Sequence, residues 1–230
     1  MPAAYTDDTE LFALLKGRLF TAVIGDVLDQ MGLVRQFLPA GLAPLAPDMV
    51  LAGRAMPVLE ADVHGSAEGA AGPLTDKPFG LMLEALDDLG PGEVYVASGA
   101  SPSYALWGEL MATRASHLGA AGAVLNGYVR DGRGIAALGF PVFSRGLYAQ
   151  DQGVRGKVID YRCRLEIGGV LIAPGDLIFA DAEGVLVIPR AAEEEAIARA
   201  LAKASVEGEV EKAIRGGMSA TEAFRTFGVM

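Results

Sequence analysis

A chain of 230 residues, 51% of them hydrophobic, carries enough apolar material for one full-sized core, at a length that admits one large domain or two small ones. The formal net charge is −10, with Lys and Arg scattered among more numerous acids, which excludes the clustered cationic surface that nucleic-acid binding relies on. No window approaches the roughly 18 uninterrupted apolar residues of a membrane-spanning helix, and the opening MPAAYTDDTELFALLKG lacks the basic-then-apolar order of a secretory signal, so the expectation is a soluble cytoplasmic protein.

In chain order, residues 6–17 predict a helix with an acidic first turn, and residues 21–32 a second in which Val23, Val27, Leu28 and Met31 share a face. Asp26, near the start of that helix or within it, reads as a solvated or capping carboxylate. Proline and glycine punctuate the chain from Leu38 until a strand, MVLAGRAMPVL. The following EADVHGSAEGAAGPLTDKP reads as an exposed loop, and His64 inside it is left out of any site. Residues 79–89 predict an amphipathic helix closed by Gly90-Pro91-Gly92. A short buried strand EVYVASG follows, then the connection SPSYALW, a helix GELMATRASHLG, a strand AGAVLNG, a loop bearing Arg130 and Asp131, a short helix around Ile135 to Leu138, and a strand FPVFSRG. Alternation of strand and helix with short linkers predicts parallel βαβ units with right-handed crossovers.

After Gly146 the pattern is β only, about four short strands punctuated by Gly169, Pro174-Gly175 and Glu183-Gly184 and ended by Pro189. The single cysteine, Cys163, excludes an internal disulfide and fits a reducing compartment. Its setting YRCRLEI alternates as a strand does, which predicts a buried, inert thiol. Residues 191–216 predict one long polar helix with a thin apolar stripe, resting on the core or on a neighbouring subunit along part of its length, and SATEAFRTFGVM adds a shorter one. The pattern defines a single α/β domain over residues 1–230, with a parallel βαβ core, a β-rich second half and, over residues 190–230, a helical extension expected at a subunit interface.

In an open parallel sheet, ligands gather beyond the carboxyl ends of the strands, where loops and helix N-termini converge. Strand EVYVASG leads to the helix beginning near Gly108, whose N–H groups at Glu109, Leu110 and Met111 lack intrahelical partners and can receive a carboxylate. Strand AGAVLNG delivers Arg130 and Asp131, which as sequence neighbours are expected to serve a common ligand and to be poorly placed to pair with each other. Arg130 offers a planar fork of donors for a carboxylate or enolate oxygen. Asp131 offers a hard oxygen to a cation such as Mg²⁺, which takes one or two protein carboxylates and keeps several waters. Glu109, 21 positions before Arg130, can bind the ion or its waters. The same residues also admit a structural role: an Arg-Asp pair stabilises turns, and an acid at a helix N-terminus is favoured by the dipole alone.

Through IGDVLDQMG, GELMATRASHLGAAGAVLNGYVRD, GFPVF, PGDLIFADAEGVLVIP and GEVEKAIRGGMSATEAFRTFGV the chain, from about Thr21 onward, resembles the RraA-like family. That family includes regulators of ribonuclease E activity and divalent-metal-dependent 4-hydroxy-4-methyl-2-oxoglutarate aldolases with oxaloacetate decarboxylase activity. The resemblance implies a swivelling β/β/α-type fold assembled as trimers or as hexamers of paired trimers, with sites between subunits. It implies that Asp131, with Glu109, holds Mg²⁺ or Mn²⁺, that Arg130 binds the oxygens of a small 2-oxo acid, and that Gly108 and the amides of Leu110 and Met111 take the pyruvyl carboxylate. A glutamate of the neighbouring subunit's C-terminal helix would complete the site, Glu209 first and Glu207 second; a solvated helix face is the other reading of both. Two departures stand out: lyase members more often have Asp where this chain has Glu109, and many have an acid where it has Gly134. The implied activity is carbon–carbon cleavage with release of pyruvate; the alternative is a non-catalytic regulator of ribonuclease E acting by protein–protein contact. Methyl transfer to a quinone, also attached to the family, finds no support, since the chain has no glycine-rich nucleotide loop followed by an acid.

Overall fold

The computed structural model describes residues 4–63 and 72–229; His64 lies outside them. Helix α1 (Asp8–Arg18) starts where the Asp7 carboxylate accepts the Glu10 amide at 2.9 Å, which satisfies one of the donors a first turn leaves unpaired. Helix α2 (Thr21–Gln30) has no cap from its own neighbours. Its start is held instead by Asp181, which accepts the Thr21 amide at 2.8 Å and the Thr21 hydroxyl at 2.7 Å across a separation of 160 residues. Asp26 sits inside α2 and pairs with Lys203 of the C-terminal helix, so it is an interhelical ion-pair partner and not a cap.

Strand β1 (Ala43–Pro44) and the long β2 (Leu51–Asp62) precede α3 (Met82–Asp87) and β3 (Glu93–Ser98). Next come β4 (Ala105–Trp107), α4 (Glu109–His117), β5 (Gly122–Leu125), β6 (Tyr128–Val129), α5 (Gly132–Leu138) and β7 (Val142–Ser144). The β-rich half comprises β8 (Gly156–Tyr161), β9 (Leu165–Ile167), β10 (Val170–Ile172), β11 (Leu177–Asp181) and β12 (Gly184–Ile188). Helices α6 (Glu193–Arg215) and α7 (Ala220–Phe227) end the chain. Among the described residues no helix is long and apolar enough to cross a membrane.

The main sheet runs β1-β7-β5-β3-β2-β11-β12, with β8 pairing the far end of β2. The contacts β2–β3, β3–β5 and β5–β7 are parallel, and β1, β8, β11 and β12 join antiparallel. The first eight residues of β2 are all buried, as expected of a strand covered on both faces. Met56, Tyr95 and Ala123 face one apolar layer, built with α3 and α4, while Ala55, Val94 and Val124 face a second, built with β9 and β10. A third layer joins α1, α2 and α6 to Phe179 and Leu186. The expected α/β class, with a parallel core, a β-rich second half and helices at the end, is what the chain adopts.

Four local expectations need correcting. The connection SPSYALW contains a strand, β4, and the segment after Gly146 holds five strands where about four were expected. Cys163 lies in the bend between β8 and β9 and is only partly buried. Strand alternation breaks beside it because Arg162 adopts a positive φ of 53° and reaches out to Asp88 at 2.5 Å and Glu93 at 2.7 Å. Burial pushes the Cys163 thiol up, which keeps it protonated and unreactive.

The fourth correction concerns Glu60, expected in a loop but found within β2 at 2% exposure. Gln152 donates to one carboxyl oxygen at 2.8 Å, and the other has no partner among the described residues. Burial therefore pushes this carboxyl up to about 8, aided by the nearby Asp62 and opposed by the Gln152 hydrogen bond. A folded-state value raised above the unfolded one means that the fold binds the extra proton. The contribution to stability is full below the ordinary glutamate range and is lost as pH rises through about 8. Glu60→Gln should match the parent's melting temperature near pH 5 and exceed it by about 5 °C above pH 8, as thermal melts across that range would read; parallel curves would refute the assignment.

Candidate active site

Two short strands build the site. β4 and β6 pair in parallel, Ala105 opposite Tyr128 and Trp107 opposite Val129, and the Arg130 amide continues the ladder by donating to the Trp107 carbonyl at 2.9 Å. Parallel strands end at the same edge, so the start of α4 and the Arg130-Asp131 loop emerge side by side. Buried aromatic rings support the ribbon: Trp107 packs against Tyr95 with centroids 4.9 Å apart and stacks on Phe140 at 6.1 Å.

Asp131 takes left-handed backbone angles, φ 58° and ψ 32°, a conformation that aspartate tolerates better than most residues. The turn points its side chain away from α5 and onto the N-terminus of α4, where its carboxylate accepts the Glu109 amide at 3.3 Å. Gly108 permits that approach, since a Cβ there would lie 2.9 Å from Asp131 Oδ2. The N-terminus of α4 thus already draws a carboxylate, as its unpaired donors and dipole favour.

Arg130 and Asp131 do meet, contrary to the expectation from sequence adjacency: Nε lies 3.6 Å from Asp131 Oδ2, because the left-handed turn swings the aspartate back towards its neighbour. The closer partner is Asp151, whose Oδ1 is 2.7 Å from Arg130 Nη1. No motif or spacing in the chain singles out Asp151. It sits in an irregular segment after β7, brought into place where Ala105 donates to the Gln150 carbonyl at 2.8 Å.

Arg130, Asp131, Asp151 and Gln152 form one side of a cavity of about 280 Å³, and Gly108, Leu110 and Met111 also line it. Glu109 does not. Its exposed carboxylate lies over Gly134 at the start of α5, where any Cβ would overlap it, so the absence of a side chain at 134 makes room for the glutamate's length. Glu209 is exposed on α6 and Glu207 pairs with Lys203 at 3.4 Å, and neither lines this cavity. Among the described residues no three His, Cys, Asp or Glu converge as metal ligands. A half-exposed Asp131 with open space beside it suits a cation that keeps most of its waters and takes one or two carboxylates.

An α/β domain whose parallel strands deliver an arginine, an aspartate and a helix N-terminus to one cavity has the parts from which a site for a small anionic ligand can be built. The sequence profile of the RraA-like family, described as Aldolase/RraA, matches residues 21–187, and the chain belongs to that family. It is 35% identical over 144 residues to a protein of Halalkalibacterium halodurans provisionally named 4-hydroxy-4-methyl-2-oxoglutarate aldolase, a match covering 62% of this chain and 68% of that one. It is 31% identical over 205 residues to protein DlpA of Legionella pneumophila; that match takes in 88% of this chain, which spans only 31% of DlpA's length. A solved structure of an uncharacterised protein from Pseudomonas syringae pv. tomato is similar with a TM-score of 0.83 at 28% identity, over 99% of both chains.

Proposed function

We propose that this chain is a divalent-metal-dependent carbon–carbon lyase that releases pyruvate from a 2-oxo acid, of the 4-hydroxy-4-methyl-2-oxoglutarate aldolase or oxaloacetate decarboxylase type. The observation that carries this reading is the meeting of Arg130, Asp131 and the α4 N-terminus at one end of a single cavity. The provisional aldolase name of the Halalkalibacterium relative points the same way.

The amides of Leu110 and Met111 stand at the helix start and receive the substrate's carboxylate. The guanidinium of Arg130, held in place by Asp151, faces the oxygen that becomes anionic. Asp131 would hold Mg²⁺ or Mn²⁺, which when bound would supply Lewis-acid polarisation of the 2-oxo group, and Glu109 would reach the ion's waters only by turning away from Gly134. In decarboxylation of oxaloacetate the bond from C3 to the departing carboxylate breaks, its electron pair becomes the enolate of pyruvate, CO₂ leaves, and a solvent proton at C3 completes the product. No general base is required, which makes this the simplest reaction for the residues present. The same reading places the chain in a homo-oligomer, a trimer or hexamer, in which Glu209 of α6 serves the adjacent subunit's site.

Pyruvate formation from oxaloacetate and from 4-hydroxy-4-methyl-2-oxoglutarate, measured with Mg²⁺, with Mn²⁺ and with chelator, tests the proposal. Turnover that needs metal supports it; absence of turnover on both compounds would sink it and favour the regulator of ribonuclease E. Gly108→Ala offers a finer check. The new methyl group displaces the Asp131 carboxylate from 2.9 Å, and a misplacement of this size should lower kcat/KM about tenfold to a hundredfold. The melting temperature should stay nearly unchanged, because the displaced group is the end of an exposed side chain.

A further inference from the structure

The far end of β2 holds both arms of the site. Asp62 accepts the Ser101 amide at 3.0 Å and the Tyr104 hydroxyl at 2.9 Å, which ties the approach to β4 onto the main sheet. On the same strand Glu60 accepts the Gln152 side-chain amide at 2.8 Å, which ties down the segment that carries Asp151. That segment, residues 148–155, has no strand or helix of its own and depends on such ties. On one side of Asp151, Ala105 donates to the Gln150 carbonyl at 2.8 Å; on the other, Gln152 is anchored to Glu60. The Arg155 guanidinium donates to the Asp151 carbonyl at 3.1 Å. The Asp151 carboxylate folds over Gly153, where a Cβ would lie 2.5 Å from its Oδ2, and its Oδ1 meets Arg130 Nη1 at 2.7 Å. A chain of contacts thus runs from inside the main sheet to the guanidinium, through Glu60, Gln152, Asp151 and Arg130.

Glu60 and Gln152 are a poor choice for stability alone. Both are buried, and one Glu60 oxygen has no partner among the described residues, an unfavourable state that apolar side chains in the same space would avoid. What the hydrogen bond supplies is direction. Apolar burial is non-directional, whereas one N–H···O contact fixes where Gln152 lies and with it the neighbouring Asp151. Burial keeps Glu60 in its neutral form, with the acid Asp62 adding to the effect, so the bond is made without a third negative charge beside the two that already flank Arg130. We infer that Glu60 is a positioning residue for Arg130: acting through Gln152 and Asp151, it sets the direction of the guanidinium that receives the ligand's oxygens. Its bearing on catalysis rests on the lyase reading of the site, and its bearing on anion binding does not.

Two readouts on the full chain with saturating Mg²⁺ test this: pyruvate release from oxaloacetate, and calorimetric titration with oxalate, a planar dianion shaped like the enolate of pyruvate. Glu60→Leu, which removes the acceptor, should lower kcat/KM about tenfold and weaken oxalate by about as much. Glu60→Gln, which restores a neutral acceptor of the same shape, should bring both to within about threefold of the parent. The double-mutant cycle is decisive. In the Arg130→Ala background Glu60→Leu should cost less than about twofold, because the group it positions is gone. Additive losses, a loss below about threefold in Glu60→Leu, or a Gln variant no better than the Leu variant overturns the inference. Where Glu60→Leu does not fold, Gln152→Met removes the same hydrogen bond from its other end and is read by the same cycle. A parent that binds oxalate but releases no pyruvate overturns the lyase reading, and the oxalate cycle then decides the positioning role. A parent that neither binds oxalate nor turns over oxaloacetate overturns both.

Discussion

Arg130→Ala is expected to lower kcat/KM for metal-dependent pyruvate release by about 100- to 1000-fold, the loss typical when a donor aimed at a developing oxyanion is removed. The effect should fall on activity and spare the fold. Arg130 is 40% exposed, and its partners Asp131 and Asp151 are 46% and 49% exposed, so the ion pairs it makes contribute at most about 1 kcal/mol. Arg130→Lys should restore the charge but not the fork that spans two oxygens, and so recover only part of the rate. Asp131→Asn tests the other half of the pair. It keeps the size and the acceptor for the Glu109 amide but removes the hard anionic oxygen, so the Mg²⁺ or Mn²⁺ concentration needed for half-maximal activity should rise steeply. The two variants therefore leave different signatures, one in rate at saturating metal and one in metal demand. Activity retained within about threefold in Arg130→Ala would remove this residue from the chemistry. A regulator of ribonuclease E would show no pyruvate release for either variant to lose.

Much of this site was legible because its parts obey local rules. The starts of α4 and of the Arg130-Asp131 loop follow glycines after apolar runs, and β2, β3 and β5 are mainly apolar segments, the pattern of buried parallel strands. What escaped was set by tertiary contact. β4 and β6 have three and two residues, too few for any period to register, yet their pairing brings Arg130 beside Gly108. Asp151 is placed by the hydrogen bond from the Ala105 amide to the carbonyl of its neighbour Gln150, a contact no spacing announces. The direction of Glu109 is a rotamer choice; the helix fixes where its Cβ points, and the empty space over Gly134 decides the rest. Glu60 misled for an energetic reason. An acid in a polar, glycine-rich context argues for exposure, because burying a carboxylate is unfavourable, and the fold meets that by retaining the proton.

The largest loss of stability is expected from Arg54→Met, about 3–5 kcal/mol, the usual consequence of removing one partner from a buried ion pair. Arg54 lies on β2 at 8% exposure and joins three elements. Its Nε donates to Asp8 of α1 at 2.8 Å, and its Nη2 donates to Glu193 at the start of α6 at 3.1 Å, with a further close contact to each. Tyr5 donates to the same glutamate at 3.1 Å, and the Phe12 ring lies 5.8 Å from the guanidinium. Methionine fills much of the arginine's stem but leaves Glu193, only 6% exposed, without a counter-charge. Glu193→Gln in the same chain should therefore recover part of the loss, and the double-mutant cycle measures the coupling. The pH dependence gives an independent sign. Hydrogen bonds from Arg54 hold the Asp8 carboxyl below its usual range, a depressed folded-state value, so that contribution is present above the ordinary aspartate range and is lost as pH falls through the depressed one. The deficit of Arg54→Met should thus be widest near neutrality and narrow at about pH 3, as the Asp8 carboxylate takes up its proton. Chemical denaturation at the two pH values would read the difference. A loss below about 1 kcal/mol near neutrality would mean that α1 and α6 are held to the sheet by Leu11, Leu15, Ile197 and their apolar neighbours alone, with the charges adding nothing.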